Sequence, residues 1–206
     1  MGICMKMNLP NKLTVVRLLL VPLIIIVLLL PVSLVTNILG ALIFLAAALT
    51  DMFDGKIARK QGLITDFGKF LDPLADKFMV IAAIMAIIYR SADKALIFNV
   101  FMPVLIITVF RELAVASIRL VASTSAGVVV PANMLGKIKT VSQIVCIMAV
   151  LLEPVLNALF TYFFPSFTLF SYYPVTCISA LVMIVFTVWS GMVYIKSYWK
   201  YLDPEK

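Results

Sequence analysis

Four aspartates lie close together in a chain that is otherwise strongly apolar. Asp51 and Asp54 are three residues apart, and Asp72 and Asp76 are four residues apart. At 3.6 residues per turn, each spacing places both carboxylates on one face of a helix. Two helices joined by a short polar turn over residues 62–66 would direct all four carboxylates into one crevice. Carboxylate oxygens are preferred ligands of hard divalent cations, so the pattern predicts a metal site.

Small and basic residues accompany the aspartates on the same predicted helices. Gly55, Ala58 and Arg59 continue the first aspartate stripe, and Gly68 begins the second. Gly55 and Ala58 leave room for a nucleotide or a phosphate to approach the helix backbone. Arg59 can form paired hydrogen bonds with phosphate oxygens. Gly68 has two interpretations, a similar notch for a ligand or a close helix-packing contact.

Charge balance indicates how many cations this crevice would hold. Two divalent ions would neutralise four carboxylates, and oxygen-only ligands suit Mg²⁺ or Mn²⁺ better than zinc. Such a pair stabilises the attacking and departing oxygens of phosphoryl transfer, which predicts a diphosphate substrate. The alternative is a salt-bridge network between the aspartates and neighbouring basic residues, namely Lys56, Arg59, Lys69 and Lys77. That network would not explain why glycines accompany the aspartates, nor why these residues share one helix face.

The composition places this site in a membrane. The chain has 206 residues, of which 64% are hydrophobic and 13% charged. It has too little polar surface for a soluble globule, so we expect one all-α, polytopic membrane domain. The net charge of +7 suits anionic headgroups and phosphates better than nucleic acid. The chain contains no histidine, so a general base must be a carboxylate, hydroxyl, thiol, lysine or tyrosine.

Apolar stretches predict six membrane-spanning helices, each near the roughly 20 residues that cross a bilayer. We expect them at residues 13–30, 35–59, 67–89, 95–122, 132–152 and 175–198. A short N-terminal amphipathic segment, residues 7–17, leads into the first span. A signal peptide is the alternative there, but no small-x-small cleavage site follows the apolar run. Residues 153–174 are predicted to be a loop with interfacial aromatic side chains.

The basic residues predict the orientation of the protein. With the N-terminus inside, only Arg90 and Lys94 among the 17 lysines and arginines fall on the outer side. This bias follows the positive-inside rule, so the aspartate crevice is expected to face the cytoplasm. Three cysteines, Cys4, Cys146 and Cys177, show no spacing typical of disulfides or zinc ligands.

The complete pattern, Asp51-x2-Asp54-Gly55-x2-Ala58-Arg59-x8-Gly68-x3-Asp72-x3-Asp76, resembles the signature of the CDP-alcohol phosphatidyltransferase family at every position. The segments NLPNKLTVVR, FLDPLADK, RELAVASIR and LGKIKTVSQ look like the bacterial members that make phosphatidylglycerophosphate, and this resemblance covers most of the chain. Residues 1–6 precede the usual start, which makes Met7 an alternative initiator.

This resemblance implies a fold, a reaction and roles for residues. The fold would be that of the family, and the reaction would transfer the phosphatidyl group of CDP-diacylglycerol to the 1-hydroxyl of sn-glycerol 3-phosphate, releasing CMP. All four aspartates would ligate the metal pair, and Asp76 would be the general base. Family members also tend to be homodimers. The residues expected to bind CDP-diacylglycerol are Asp54, Gly55, Ala58, Arg59 and Gly68.

An acceptor that carries a phosphate requires a second basic cluster. We expect the phosphate to be bound by basic residues at the inner ends of the fourth and fifth spans, namely Arg111, Arg119, Lys137 and Lys139. The two arginines are eight residues apart and share a helix face. The two lysines are two residues apart and cannot both point inward, so ordinary snorkelling to the interface is the alternative for them. Glu112 is predicted to pair with one of the arginines.

Other functions remain open on the sequence alone. Within the family, phosphatidylglycerol as acceptor would make a cardiolipin synthase, and an inositol phosphate would make a different lipid. Outside it, an aspartate-rich intramembrane prenyltransferase would be longer and carry two separated motifs. A cation-coupled transporter would spread its acids over several spans, whereas five of the ten acids here lie between residues 51 and 76.

Overall fold

The computed structural model describes residues 8–61, 66–126, 134–164 and 172–199, with the side chains of residues 9–10, 52–61, 66–67, 69–70 and 123–126 outside that description. These residues form six α-helices and no strand. The helices are α1 (Leu9–Leu29), α2 (Leu34–Gln61), α3 (Asp66–Arg90), α4 (Ala95–Ala126), α5 (Met134–Phe163) and α6 (Pro174–Tyr198). The predicted all-α fold is confirmed for this part of the chain.

Several of these helices suit a bilayer. Four have the length and apolarity needed to cross a membrane, at Asn11–Leu29, Leu34–Asp51, Met134–Phe163 and Pro174–Tyr198. Large apolar side chains such as Leu19, Val35 and Leu181 are well exposed, which suits contact with lipid rather than water. The chain is therefore a membrane protein. That α3 and α4 also cross, giving six spans, stays a prediction.

The fifth helix corrects the predicted loop over residues 153–174. α5 continues to Phe163, with Pro154 inside it. Proline removes one backbone N–H, but an apolar segment in a membrane stays helical because unpaired backbone groups are costly in lipid. Glu153 is buried at 1% exposure, and its two carboxylate oxygens accept the backbone N–H groups of Val175 and Thr176 at 2.9 and 2.7 Å. It thereby caps the first turn of α6.

The first helix joins the predicted amphipathic segment to the first span. The two predicted ranges, residues 7–17 and 13–30, overlap, and α1 runs from Leu9 into the apolar span without a break. Pro10 lies in its first turn, where the missing N–H is not needed. Asn11, Thr14 and Arg17 are buried. These three polar side chains of α1 thus point into the protein, whereas Lys12 is exposed.

The chain divides into two compact units, Met1–Arg90 and Ser91–Lys206. In the first unit, α1 packs along both α2 and α3. A Cβ on Gly40 would come within 2.7 Å of Leu28, so this glycine allows close packing of α2 on α1. In the second unit, α6 packs on α4 and α5. That the whole chain is a single domain stays a prediction.

Candidate active site

The first of the four aspartates lies where the apolar part of α2 ends. Asp51 Oδ1 accepts a hydrogen bond from Arg17 Nη1 at 2.6 Å, which is also an ion pair. The Arg17 side chain is 0% exposed and that of Asp51 is 36% exposed. A charge this deeply buried in a membrane protein needs an opposite charge beside it. α1 therefore supplies the described counter-ion of Asp51.

The third aspartate, Asp72, also has its partner on α1. The Thr14 hydroxyl donates a hydrogen bond to Asp72 Oδ1 at 2.5 Å, and Thr14 is 1% exposed. Asp72 is close enough to Asp51 for the two carboxylates to interact electrostatically. One face of α1 thus brings together an aspartate from α2 and an aspartate from α3. We call Asp51, Asp72 and Asp76 the aspartate region.

Asp76 lies one helical turn after Asp72 and is half-buried. Gly68 lies one turn before Asp72 and is buried. Their i, i+4 spacing on α3 places all three on one face, as predicted. The backbone of α2 is helical from Asp51 to Gln61, so the register predicted for the first stripe holds. The side chains that would complete this stripe, those of Asp54, Ala58 and Arg59, lie outside the description, as do the surroundings of Gly55.

The metal prediction can be compared with the donors that the structure describes. Asp51 and Asp72 offer carboxylate oxygens, the donors that hard divalent cations prefer, and the two carboxylates interact electrostatically. Within the described residues, no three acidic or sulfur side chains converge into a ligand group. The side chain of Asp54 lies outside the described residues, so the predicted group of four carboxylates stays a prediction.

A second charged group lies in the other unit, on α4 and α5. Glu112 accepts hydrogen bonds from Arg111 at 3.0 Å and from Lys139 Nζ. All three side chains are largely buried, with exposures of 11% for Arg111 and 8% for the other two. We call Arg111, Glu112 and Lys139 the cationic cluster. The prediction that Glu112 pairs with an arginine is confirmed.

Tyr194 on α6 contacts both arginines of the predicted acceptor site. The Arg111 and Arg119 guanidinium groups lie 5.8 and 5.7 Å from the centre of its ring, within cation–π distance. Arg119 also donates to the Tyr194 hydroxyl at 3.5 Å, and Arg111 Nη2 donates to Ser190 Oγ at 3.2 Å. Lys137, in contrast to Lys139, is exposed. The structure thus relates three of the four predicted acceptor residues through α4, α5 and α6 and leaves Lys137 outside.

Several residues of these groups were missed or underrated from the sequence. Thr14 and Arg17 were not expected to contact aspartates, although three polar residues at three-residue intervals in an apolar helix, with Asn11 as the first, form a recognisable stripe. Gly191 allows α6 to approach Arg111, because a Cβ there would lie 3.2 Å from Arg111 Cγ. No local sequence signal distinguishes this glycine from others in apolar helices.

Comparison with known proteins gives a consistent result. Residues 7–189 match the family model described as CDP-alcohol phosphatidyltransferase. The chain is 38% identical over 206 residues to the CDP-diacylglycerol–glycerol-3-phosphate 3-phosphatidyltransferase of Bacillus subtilis (strain 168), covering 95% of this chain and 97% of the relative. The protein of that name from Escherichia coli (strain K12) is 35% identical over 153 residues, 73% of this chain and 80% of its own.

A third relative with the same name, from Rickettsia typhi (strain ATCC VR-144 / Wilmington), is 41% identical over 137 residues, covering 66% of this chain and 71% of its own. The family match includes all eight signature positions and both charged groups described above. The chain therefore belongs to the CDP-alcohol phosphatidyltransferase family.

Proposed function

We propose that this protein transfers the phosphatidyl group of CDP-diacylglycerol to sn-glycerol 3-phosphate. The acceptor 1-hydroxyl oxygen attacks the phosphorus that bears the diacylglycerol. A new phosphorus–oxygen bond forms, and the bond to CMP breaks with its electron pair leaving on CMP. The products are phosphatidylglycerophosphate and CMP. The observation that carries this proposal is the match along nearly the full length of both chains to the Bacillus subtilis protein named for this reaction.

The aspartate region is proposed to hold the cations that this chemistry needs. Members of the family use divalent metal ions. We propose Mg²⁺ or Mn²⁺, two per site, with Asp51, Asp54, Asp72 and Asp76 as ligands, because these ions prefer carboxylate oxygens. When bound, such ions stabilise negative charge on a diphosphate during transfer. The proximity of Asp51 and Asp72 supports the assignment.

Asp76 is proposed as the general base. It would accept the proton of the acceptor hydroxyl as that oxygen attacks phosphorus. Its half-buried position on the same face of α3 as Asp72 is compatible with contact to a ligand in the crevice. A chain without histidine leaves a carboxylate as a suitable base near neutral pH.

The donor is proposed to bind beside the aspartates. Asp54, Gly55, Ala58, Arg59 and Gly68 would bind the CDP part, with Arg59 forming paired hydrogen bonds with phosphate oxygens. The acyl chains would remain in the surrounding lipid. The helical backbone through Gln61 and the buried position of Gly68 support a shared register for this set.

The cationic cluster is proposed to bind the phosphate of the acceptor. Arg111 and Lys139 share one carboxylate, Glu112, so the described cluster contains more cationic than anionic groups. The Arg119 guanidinium group also lies 5.7 Å from the centre of the Tyr194 ring. A dianionic phosphate is a natural ligand for such a set, since charge-assisted hydrogen bonds to guanidinium groups are strong. Lys137, which is exposed, would contribute least.

The setting of the reaction is part of the same proposal. The site would face the cytoplasm of the bacterial inner membrane, because almost all basic residues lie on that side of the predicted topology. Two copies of the chain would form a homodimer.

One preparation tests the reaction. Full-length protein purified in detergent is mixed with CDP-diacylglycerol and Mg²⁺ or Mn²⁺, and CMP is measured. We expect CMP release only after sn-glycerol 3-phosphate is added, and we expect a chelator to stop it. If phosphatidylglycerol or an inositol phosphate serves better as acceptor, the proposed acceptor is wrong while membership of the family stands.

A further inference from the structure

We infer that α1 sets the separation of the aspartates on α2 and α3, with Thr14 as a positioning residue and Arg17 as the counter-ion that holds Asp51 in place until a cation binds. This inference rests on the proposed function, since it assumes that Asp51 and Asp72 bind a cation. It goes further in assigning a task to the first helix, which lies outside the signature of residues 51–76. The side chains that carry it are the Arg17–Asp51 ion pair and the Thr14–Asp72 hydrogen bond.

The packing of the first unit is the first step of the argument. α1 makes extensive contacts with α2 and with α3, whereas α2 and α3 make few direct contacts with each other in the described chain. Within the described residues, the two helices that carry the signature are therefore related mainly through α1. The separation of Asp51 from Asp72 depends on how each helix packs on this third one.

Burial gives the second step. Asn11, Thr14 and Arg17 recur every three residues and have exposures of 8%, 1% and 0%. Polar groups inside a membrane helix are unfavourable unless they are hydrogen-bonded or paired. Thr14 and Arg17 each contact an aspartate, and those two aspartates belong to different helices. Both contacts fix the rotation and the height of α1 relative to its neighbours.

The atoms that these contacts use give the third step. Arg17 and Thr14 each bond to the Oδ1 atom of their aspartate. In both aspartates, Oδ2 is therefore the oxygen that remains available to a cation. Arg17 also offsets the repulsion between Asp51 and Asp72 while no cation is bound, since its charge acts on Asp51. In other proteins, side chains that hydrogen-bond to a metal ligand change the metal affinity by about 10- to 100-fold.

The Thr14 contact is tested by Mn²⁺ binding. Full-length protein in detergent is titrated with Mn²⁺, and free Mn²⁺ is followed by electron paramagnetic resonance. We expect Thr14→Val to weaken binding about tenfold, because it removes the hydroxyl and keeps the shape. Thr14→Ser, which keeps the hydroxyl, should bind like the unaltered protein. Thr161→Val is the matched control, since the Thr161 hydroxyl bonds only to the backbone carbonyl of Asn157 on its own exposed turn.

The Arg17 contact is tested by thermal unfolding with and without metal. We expect Arg17→Met to lower the unfolding midpoint more in chelator than in saturating Mn²⁺, because Asp51 then lacks a counter-ion only in the metal-free protein. The rise in midpoint on adding Mn²⁺ should therefore be larger in Arg17→Met than in the unaltered protein. Arg17→Lys keeps the charge and should show the ordinary rise.

The outcomes separate this inference from the proposed function. Unchanged Mn²⁺ affinity in Thr14→Val, or an equal loss of midpoint with and without Mn²⁺ in Arg17→Met, would mean that α1 contributes packing alone and would overturn the inference. If Arg17→Met does not fold, the Thr14 variants decide. Failure of the unaltered protein to bind Mn²⁺ would instead overturn the proposed metal site, and the inference with it.

Discussion

The aspartate region and the cationic cluster bury charge of opposite sign by the same means. In the first unit, Asp51 and Asp72 lie near each other and a single cation, Arg17, is bonded to one of them. In the second unit, Arg111 and Lys139 share a single anion, Glu112. In each unit, two charges of one sign thus lie beside a single counter-charge among the described residues. A group of this kind suits a ligand of the opposite sign.

The two groups differ in how their helices are related. Arg17 and Thr14 reach the aspartates from a third helix, α1, which packs on both α2 and α3. The cationic cluster is held by neighbours in sequence, Arg111 and Glu112, with Lys139 from α5 and with Ser190 and Tyr194 from α6 around them. Variants on the acidic side should therefore affect cation binding and turnover, whereas variants on the basic side should affect stability and acceptor binding.

The largest effect is expected from Asp76→Asn, on the acidic side. The amide cannot accept the proton of the acceptor hydroxyl, so kcat should fall by about 10²- to 10⁴-fold. Binding of CDP-diacylglycerol should largely survive, because the change is isosteric. CMP release and lipid binding are measured on the same preparation. Near-normal turnover in this variant would exclude Asp76 as the base.

A loss of stability is expected from Glu112→Gln, on the basic side. It leaves Arg111 and Lys139 without the carboxylate that they share, and removing one partner of a buried ion pair commonly destabilises a protein by about 3–5 kcal/mol. A clear fall in the thermal unfolding midpoint in detergent is the expected result. Asp93→Asn is the matched control, because Asp93 is exposed and its variant should unfold at the ordinary temperature. Equal midpoints for the two variants would show that Glu112 does not hold the cluster.

A more selective effect is expected from Arg111→Ala. A hydrogen bond to a charged group contributes about 1.5–3 kcal/mol, so the apparent KM for glycerol 3-phosphate should rise by about 10- to 100-fold. The KM for CDP-diacylglycerol should change much less. Arg111→Lys should recover only part of the loss, since lysine lacks the planar fork of arginine. An equal rise in both KM values would count against a role in acceptor binding.

The smallest effect is expected from Lys137→Ala, which compares two lysines of the same helix. Lys137 is exposed, while Lys139 lies in the cationic cluster. The KM for glycerol 3-phosphate should stay nearly constant in Lys137→Ala and rise in Lys139→Ala. A large rise in Lys137→Ala would show that this side chain, too, reaches the acceptor. The comparison shows whether the acceptor site extends from the cationic cluster to Lys137.

Much of the architecture could be predicted from hydrophobic patterning. Six helices were expected and six are present in the described residues, and the predicted limits of α3 and α6 agree with the structure to within one residue. The loop predicted over residues 153–174 is wrong over residues 153–163, because α5 continues through Pro154 to Phe163. Local rules treat proline as a helix breaker, but the surroundings of an apolar helix make continued hydrogen bonding more favourable than a turn.

The sequence alone determined which groups can do chemistry: the spacing of the aspartates defines their helix faces, and the absence of histidine narrows the choice of base. Only the tertiary structure decided what those faces meet. It placed Arg17 against Asp51, Thr14 against Asp72 and Lys139 against Glu112. Periodicity states which residues of one helix point the same way, but the partner of a face depends on packing between segments far apart in the chain.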